Sequence, residues 1–197
     1  MTQTYICLCR EFSLPKHMDM ERLMSFLHPD LLKNSITEIT FKDLEKLGVR
    51  GLLLDVDNTL TTHGSQVLDP AVSAWLGKMK HKGIGLTIVS NAVSKRVGPF
   101  ARRVELRFIS AACKPLPIGF IRGAKRLGIP RRECAAVGDQ TFTDILGAKL
   151  AGVKTIQLLP ILPEQQISFR FKRRLERYII KGYRKKLEKK DENPRRL

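Results

Sequence analysis

In the stretch Leu52-Leu53-Leu54-Asp55-Val56-Asp57-Asn58-Thr59-Leu60, an apolar run that is typical of a buried strand ends in two carboxylates one residue apart. Alternate residues of a strand point to opposite faces, so the side chains of Asp55 and Asp57 are predicted to project to the same side. Two like charges this close disfavour the doubly ionised form. A bound Mg²⁺ would remove the repulsion, because it is a hard cation that takes carboxylate oxygens as ligands.

Two other interpretations apply to this stretch. A calcium-binding loop that starts at Asp55 would need Asp or Asn at Thr59, Gly at Leu60 and Glu at Gln66, and all three positions carry the wrong residue type. A carboxylate pair without a metal is the alternative that this stretch alone leaves open.

Apolar strands alternate with helices along the rest of the central region. After the first strand, further strands are predicted at residues 84–89, 107–111, 134–137 and 153–159. Each is apolar throughout and does not alternate with polar residues, which is typical of a parallel sheet covered by helices on both faces. The pattern predicts an α/β domain at residues 50–163, with a doubly wound, Rossmann-like parallel sheet of about five strands.

Segments of different character flank this domain. Residues 1–49 are predicted to be an accessory helical segment, with one helix at residues 20–28 and a second that ends at Gly48. Residues 164–197 form a basic tail with 13 Lys and Arg against 5 Asp and Glu, within a chain of net charge +17. This charge predicts an anionic partner, such as nucleic acid, an acidic lipid surface or a phosphorylated substrate.

Cysteine use and hydropathy indicate the compartment. Cys7, Cys9, Cys113 and Cys134 show no zinc-site spacing and are predicted to be free thiols in a reducing compartment. No apolar stretch reaches the roughly 20 residues that a membrane-spanning helix needs. We therefore expect a cytoplasmic protein, or one attached to a membrane only at its surface.

Polar residues stand at the ends of successive predicted strands, where ligands bind in a doubly wound sheet. Each has an ordinary alternative, since Ser90 suits a turn, Lys114 a surface position and Gly138-Asp139 a turn dipeptide. Together they predict phosphoryl transfer, in which acidic residues hold Mg²⁺, one side chain attacks, and a hydroxyl and a lysine neutralise the phosphoryl oxygens. The set is Asp55, Asp57, Ser90, Asn91, Lys114, Asp139 and Asp144.

These residues resemble the motifs of the haloacid dehalogenase (HAD) superfamily of aspartyl-phosphate phosphatases over roughly residues 48–160. The matching segments are Asp55-Val56-Asp57-Asn58-Thr59, Ser90, Lys114, and Gly138-Asp139-Gln140-Thr141-Phe142-Thr143-Asp144. Within the superfamily, the chain looks like the YqeG family of class IIIA phosphatases. The resemblance lies in the residues of the first motif, in the upstream Pro29-Asp30 and Ser35-Ile36, and in the overall size. That family is similar in turn to the mitochondrial phosphatidylglycerophosphate phosphatases.

The resemblance implies roles for the matching residues. Asp55 would be the nucleophile that forms an aspartyl-phosphate, and Asp57 would protonate the leaving oxygen and then activate water. A carboxylic acid at Asp57 favours a phosphatase over a phosphoenzyme ATPase. The implied Mg²⁺ ligands are Asp55, the backbone carbonyl of Asp57, and Asp139, with Asp144 as an outer or additional ligand. The implied phosphate-binding residues are Ser90, Asn91 and Lys114.

The spacing between the motifs predicts a capless, open site. Only 32 residues separate Asp57 from Ser90, and 23 separate Ser90 from Lys114. A cap domain needs about 50 residues of its own. Capless members of the superfamily generally act on bulky substrates, whose own surface helps to exclude water.

The tail is predicted to be a basic amphipathic helix, interrupted by Gly182. Its apolar residues at near-helical spacing are Phe171, Leu175, Tyr178, Ile179, Tyr183 and Leu187. The helix could pack on its own domain, lie on an anionic membrane through residues 165–190, or bind RNA.

The leading hypothesis is a Mg²⁺-dependent phosphomonoesterase with phosphatidylglycerophosphate as its candidate substrate. The alternatives are an RNA- or ribosome-associated basic factor, and a phosphatase of a phosphoprotein or another bulky phosphate ester. His63, near the first motif, is expected to be an exposed loop residue.

Overall fold

The computed structural model describes residues 20–62, 64–161, 176–185 and 187–188. His63, Cys7, Cys9 and most of the basic tail lie outside the described residues. Within them, one parallel sheet has the strand order β1-β6-β5-β2-β3-β4. The strands are β1 (Leu31–Lys33), β2 (Gly51–Leu54), β3 (Gly85–Val89), β4 (Arg107–Ile109), β5 (Cys134–Gly138) and β6 (Lys154–Leu158).

The predicted fold class, a doubly wound parallel α/β sheet, is confirmed, but the sheet has six strands and not five. The additional strand, β1, comes from the segment that was predicted to be helical. It pairs with β6, and the Asp30 carboxylate secures this edge by accepting hydrogen bonds from the backbone N and the Oγ1 of Thr155, both at 2.7 Å. The domain boundary at residue 50 remains a prediction, although the sheet takes one strand from before it.

Local sequence signals mark several helix ends in the described part of the chain. Asp69 caps the long helix that starts at Pro70, and Gly128 ends another with a φ of 69°. Thr40 and Asp43 form a reciprocal capping box at the start of the second helix. The helices are α1 (Met20–Phe26), α2 (Phe41–Lys46), α3 (Pro70–His81), α4 (Ser94–Arg103), α5 (Ile118–Leu127) and α6 (Leu146–Leu150). A π-helical turn, Thr141–Ile145, leads into α6.

Helices cover both faces of the sheet, as the continuous apolar strands require. Along β2, Leu52 and Leu54 belong to a buried cluster that includes α3 and α4, whereas Leu53 belongs to a second cluster that includes α5 and α6. Successive side chains of one strand therefore enter two different cores. Transfer of this apolar surface from water is the main source of stability.

The order of the strands places a crevice at the carboxyl ends of β2 and β5. The chain runs from β2 to β3 and β4 on one side, and then crosses to β5 and β6 on the other. Loops that leave neighbouring strands in opposite directions open a crevice at this switch point. No helix among the described residues is long and apolar enough to cross a lipid bilayer.

The part of the tail that the structure describes is helical at residues 176–185 and 187–188 and is called the tail helix. Ile179 and Tyr183 are buried, and the Tyr183 ring lies edge-on to His28 with the ring centroids 5.6 Å apart. Tyr178 and Leu187, which belong to the same predicted apolar stripe, are 68% and 44% exposed. This part of the tail therefore packs on the domain through Ile179 and Tyr183. Phe171 and Leu175 lie outside the described residues.

Candidate active site

Lys114 lies at the centre of a buried ion-pair network. Its Nζ is 2.7 Å from Oδ1 of Asp55 and 2.6 Å from Oδ1 of Asp144, and its side chain is only 4% exposed. Asp55 follows β2, Lys114 follows β4, and Asp144 lies in the turn after β5. The fold therefore brings together three of the residues predicted at strand ends.

Burial and the neighbouring charges shift the pKa values of Lys114 and Asp55 in this network. Burial alone lowers the pKa of an ammonium group, but the carboxylates of Asp144 and Asp55 raise the pKa of Lys114 above its ordinary value. Burial, opposed by the charge of Lys114 and assisted by the charge of Asp144, raises the pKa of Asp55 to about 6. Lys114 is therefore cationic, and additional positive charge would favour the ionised form of Asp55.

Among the described residues, a compact acidic cluster is formed by Asp55, Asp139 and Asp144. Each offers one carboxylate oxygen, and these oxygens lie within 4.8 Å of one another. All three residues are buried. Buried carboxylate oxygens that converge in this way fit a hard divalent cation, which prefers oxygen ligands. Asp139 and Asp144 were predicted as ligands, and the geometry places them beside Asp55.

Gly138 provides the space that Asp144 occupies. A Cβ built on Gly138 would lie 2.5 Å from Oδ2 of Asp144, closer than real side-chain contacts allow. The same Oδ2 accepts a hydrogen bond from the backbone N of Gln140 at 3.2 Å. The carboxylate is therefore packed on the backbone at the end of β5, where only glycine leaves room for it.

The Asp57 carboxylate has different partners from that of Asp55. Its Oδ1 is ion-paired with the guanidinium of Arg96 and accepts a hydrogen bond from the backbone N of Gly64 at 2.9 Å. Asp57 is not part of the acidic cluster found among the described residues. The prediction that Asp57 contributes a metal ligand, through its backbone carbonyl, remains a prediction.

Arg96 is a candidate site residue that the sequence interpretation missed. Its side chain is 38% exposed and reaches Asp57 from α4. The same helix carries Lys95, Arg102 and Arg103. Because nothing in the local pattern separates Arg96 from these neighbours, the tertiary structure was needed to find it.

Ser90 and Asn91 follow β3 at the same edge of the sheet. Ser90 is buried, and its Oγ accepts a hydrogen bond from the backbone N of Ala92 at 3.1 Å. The Asn91 amide accepts from the backbone N of Lys114 at 2.7 Å and donates to its carbonyl at 3.0 Å. Asn91 therefore holds the backbone of Lys114. A phosphate-binding role for Ser90, Asn91 and Lys114 remains a prediction.

Glu176, on the tail helix, is the second residue that was missed. Its Oε1 accepts a hydrogen bond from the backbone N of Thr141 at 2.9 Å, and the residue is 2% exposed. Glu176 stands three and seven positions before Ile179 and Tyr183, on the buried face of the helix. An acidic residue on the apolar face of a basic helix was the signal that could have identified it.

Comparisons with known proteins agree with this geometry. Residues 60–152 match the family model of haloacid dehalogenase-like hydrolases, a range that includes Lys114 and Asp144 but begins after Asp57. The chain is 34% identical over 164 residues to the "Probable phosphatase YqeG" of Bacillus subtilis (strain 168), covering 83% of this chain and 95% of that protein. The chain belongs to the YqeG family. This YqeG-family protein is accordingly a HAD-like phosphatase, and the predicted resemblance is confirmed.

Two further relatives are more distant. The YqeG-family chain is 25% identical over 172 residues to "Phosphatidylglycerophosphate phosphatase 1, chloroplastic/mitochondrial" of Arabidopsis thaliana, covering 82% of this chain and 49% of that protein. A crystal structure of an uncharacterized protein from Listeria monocytogenes serotype 4b has a TM-score of 0.50 and 20% identity, covering 60% and 85% of the two chains. That structural likeness concerns the fold alone.

Proposed function

We propose that this phosphatase is a Mg²⁺-dependent phosphomonoesterase that acts through an aspartyl-phosphate on Asp55, with phosphatidylglycerophosphate as its substrate. The observation that carries the proposal is the buried network in which Lys114 bridges Asp55 and Asp144, with Asp139 in the same cluster. A nucleophile, a cation and converging oxygen ligands at one point are what phosphoryl transfer requires.

In this proposal Asp55 is the nucleophile, and Asp57 is the general acid and then the general base. A carboxylate oxygen of Asp55 attacks phosphorus, and the bond between phosphorus and the ester oxygen breaks while Asp57 gives that oxygen a proton. Water then attacks the phosphorus of the aspartyl-phosphate and loses its proton to Asp57. Inorganic phosphate leaves and Asp55 is restored. Arg96 and the Gly64 backbone orient Asp57 through the contacts described above.

The remaining site residues would bind the metal ion and the phosphoryl oxygens. Asp55, Asp139 and Asp144 would hold Mg²⁺ together with the backbone carbonyl of Asp57. When bound, the ion would supply positive charge to the phosphoryl oxygens. Lys114 would donate to the same oxygens. Asn91 would hold the backbone of Lys114 through its two hydrogen bonds.

The lipid substrate is supported by the openness of the site. The chain described between Asp57 and Ser90 forms α3 and β3, and that between Ser90 and Lys114 forms α4 and β4, with no cap domain in either described stretch. Arg96 is partly exposed beside Asp57 and can contact a second negative group on the substrate. Phosphatidylglycerophosphate carries such a group in its phosphodiester. The similarity to a relative named for this activity points the same way.

Attachment to the surface of an anionic membrane is supported by the outer face of the tail helix. Its exposed cations are Arg177, Lys181, Arg184 and Lys185. Because Ile179 and Tyr183 are buried against the domain, contact with lipid would be mainly electrostatic at this part of the tail. Reversing the charge of Lys181, Arg184 and Lys185 with Glu should release the protein from phosphatidylglycerol vesicles at low salt. Retention on RNA but not on vesicles would favour the RNA-associated alternative.

Hydrolysis of phosphatidylglycerophosphate in mixed micelles tests the proposal directly. We expect Mg²⁺-dependent phosphate release that falls at least about 1,000-fold in Asp55→Asn, because the nucleophile is removed. A screen of other phosphate esters under the same conditions separates the substrate from the chemistry. Release from another ester alone would reject the lipid, and activity retained by Asp55→Asn would reject the mechanism.

A further inference from the structure

The loop between β5 and α6 is held from outside by the tail helix. The backbone N of Thr141 donates to Oε1 of Glu176 at 2.9 Å, and Oγ1 of Thr141 accepts from Nε2 of Gln157 at 2.8 Å. Glu176, Thr141 and Gln157 are all buried. Thr141 is therefore fixed through its backbone by the tail and through its side chain by β6.

Glu176 is suited to this position. A buried carboxylate is stable only where hydrogen bonds replace its hydration. Thr141 opens a helical run that continues through Thr141–Ile145 into α6. The first backbone N–H groups of such a run have no acceptor within the helix and favour a negative charge. The bond between Glu176 and Thr141 gives the backbone N–H an acceptor and the carboxylate a donor, and it is strengthened by the charge of the carboxylate.

The loop between β5 and α6 carries two members of the acidic cluster. Asp139 lies two residues before Thr141 and Asp144 three residues after it. The backbone N of Gln140 donates to Oδ2 of Asp144, and Oδ1 of Asp144 contacts Lys114. Movement of Thr141 would therefore displace the two carboxylates relative to Asp55, which directly follows β2 and whose backbone N donates to the carbonyl of Val137 on β5.

We propose that Glu176 is a positioning residue through which the tail helix sets the affinity of the acidic cluster for its divalent cation. The inference rests on the proposed metal-dependent function. Residues that hold metal ligands from outside typically change metal affinity about 10- to 100-fold when they are removed. The tail helix would then complete the active site with its buried face and leave its basic face for a partner.

Calorimetric titration of the full-length protein with Mg²⁺ tests this role apart from catalysis. The variants are Glu176→Ala and Glu176→Gln, with Glu188→Gln as the matched control because Glu188 is exposed on the same helix. We expect Glu176→Ala to weaken Mg²⁺ binding about 10-fold. Glu176→Gln should weaken it less, because its amide oxygen can still accept from Thr141. Glu188→Gln should bind as the wild type does. At saturating Mg²⁺ the variants should recover most of their kcat.

The outcomes separate this inference from the function on which it rests. If Mg²⁺ binds the wild type and both Glu176 variants equally well, Glu176 does not position the ligands and the inference is wrong. If Glu176→Ala does not fold, as judged by circular dichroism, the same comparison is made with Glu176→Gln. A wild-type protein that hydrolyses phosphate esters without binding Mg²⁺ would overturn the proposed metal dependence itself.

Discussion

A Cβ built on Gly138 would lie 2.4 Å from Cγ of Asp144, so the backbone of β5 and a carboxylate of the acidic cluster share one tightly packed contact. Gly138 is the last residue of β5, and Asp139 follows it directly. The absence of a side chain at this position is thus a condition for placing Asp144 beside Lys114.

Replacing this glycine should therefore impair the site. In Gly138→Ala the new methyl group must displace Asp144, and we expect Mg²⁺ affinity and kcat/KM to fall about 10-fold or more. Gly77→Ala is the control, because nothing lies within 4 Å of its built Cβ in α3. That control should leave activity intact and raise the free energy of unfolding by about 0.5–1 kcal/mol. Unchanged Mg²⁺ binding in Gly138→Ala would contradict the packing argument.

Removal of the buried ammonium group should destabilise the metal-free protein. Lys114→Met keeps the length of the side chain but leaves Asp55 and Asp144 without their cation, at a cost of about 3–5 kcal/mol in the free energy of unfolding. Denaturant unfolding in EDTA and in Mg²⁺ measures this, and we expect Mg²⁺ to restore part of the loss. Lys125→Met, at an exposed position of α5, is the control. An equal loss with and without Mg²⁺ would show that the cation does not compensate the carboxylates.

Asp57→Asn should separate chemistry from metal binding. The Asp57 side chain pairs with Arg96 and lies outside the acidic cluster, so Mg²⁺ binding should persist. Because an amide cannot transfer the required proton, kcat should fall about 100- to 10,000-fold. Steady-state kinetics and calorimetry on the same preparation provide both values. Full turnover by this variant would remove Asp57 from the proposed mechanism.

Arg96→Ala should discriminate between substrates. If the partly exposed Arg96 guanidinium contacts a second negative group of the lipid, KM for phosphatidylglycerophosphate should rise about tenfold in Arg96→Ala, while KM for p-nitrophenyl phosphate should change much less. Arg102→Ala, which removes an exposed arginine from the same helix, serves as the control. Equal changes of KM for both substrates would mean that Arg96 acts only by orienting Asp57.

The two described cysteines should differ in their reactivity with an alkylating reagent. Burial raises the pKa of the Cys134 thiol to about 11, whereas Cys113 is exposed. Peptide mass spectrometry after brief alkylation of the native protein at about pH 9 should find the exposed Cys113 modified and the buried Cys134 protected. Equal labelling in the native protein would contradict the buried position of Cys134.

The raised pKa of Cys134 should also affect how the free energy of unfolding depends on pH. Because the folded pKa of Cys134 lies above the unfolded value, the unfolded state loses its proton first as pH rises. The thiol therefore contributes fully at neutral pH and its contribution declines from about pH 8.5 upward. Thermal unfolding at pH 8 and pH 10 should show a shallower decline in Cys134→Ala than in the wild type.

Local sequence signals predicted the fold class, which the structure confirms, and the strand ends at which most candidate site residues lie. The apolar run before Asp55 predicted the central strand, and the caps at Asp69 and Gly128 predicted a helix start and a helix end that the structure contains. These signals are local, because strand burial and helix capping depend on residues only a few positions apart. The rule that ligands gather at the carboxyl ends of parallel strands then linked Asp55 with Lys114 and Asp144.

Contacts between segments far apart in the chain could not be predicted from local patterns. The edge strand β1 has just three residues and exists by pairing with β6, where Asp30 and Thr155 are 125 positions apart. The pairs Arg96–Asp57 and Glu176–Thr141 likewise join elements 39 and 35 positions apart. No local pattern encodes such a contact, because it arises from the packing of complete helices on the sheet. Packing selects the arginine that reaches Asp57 and the glutamate that holds the loop between β5 and α6.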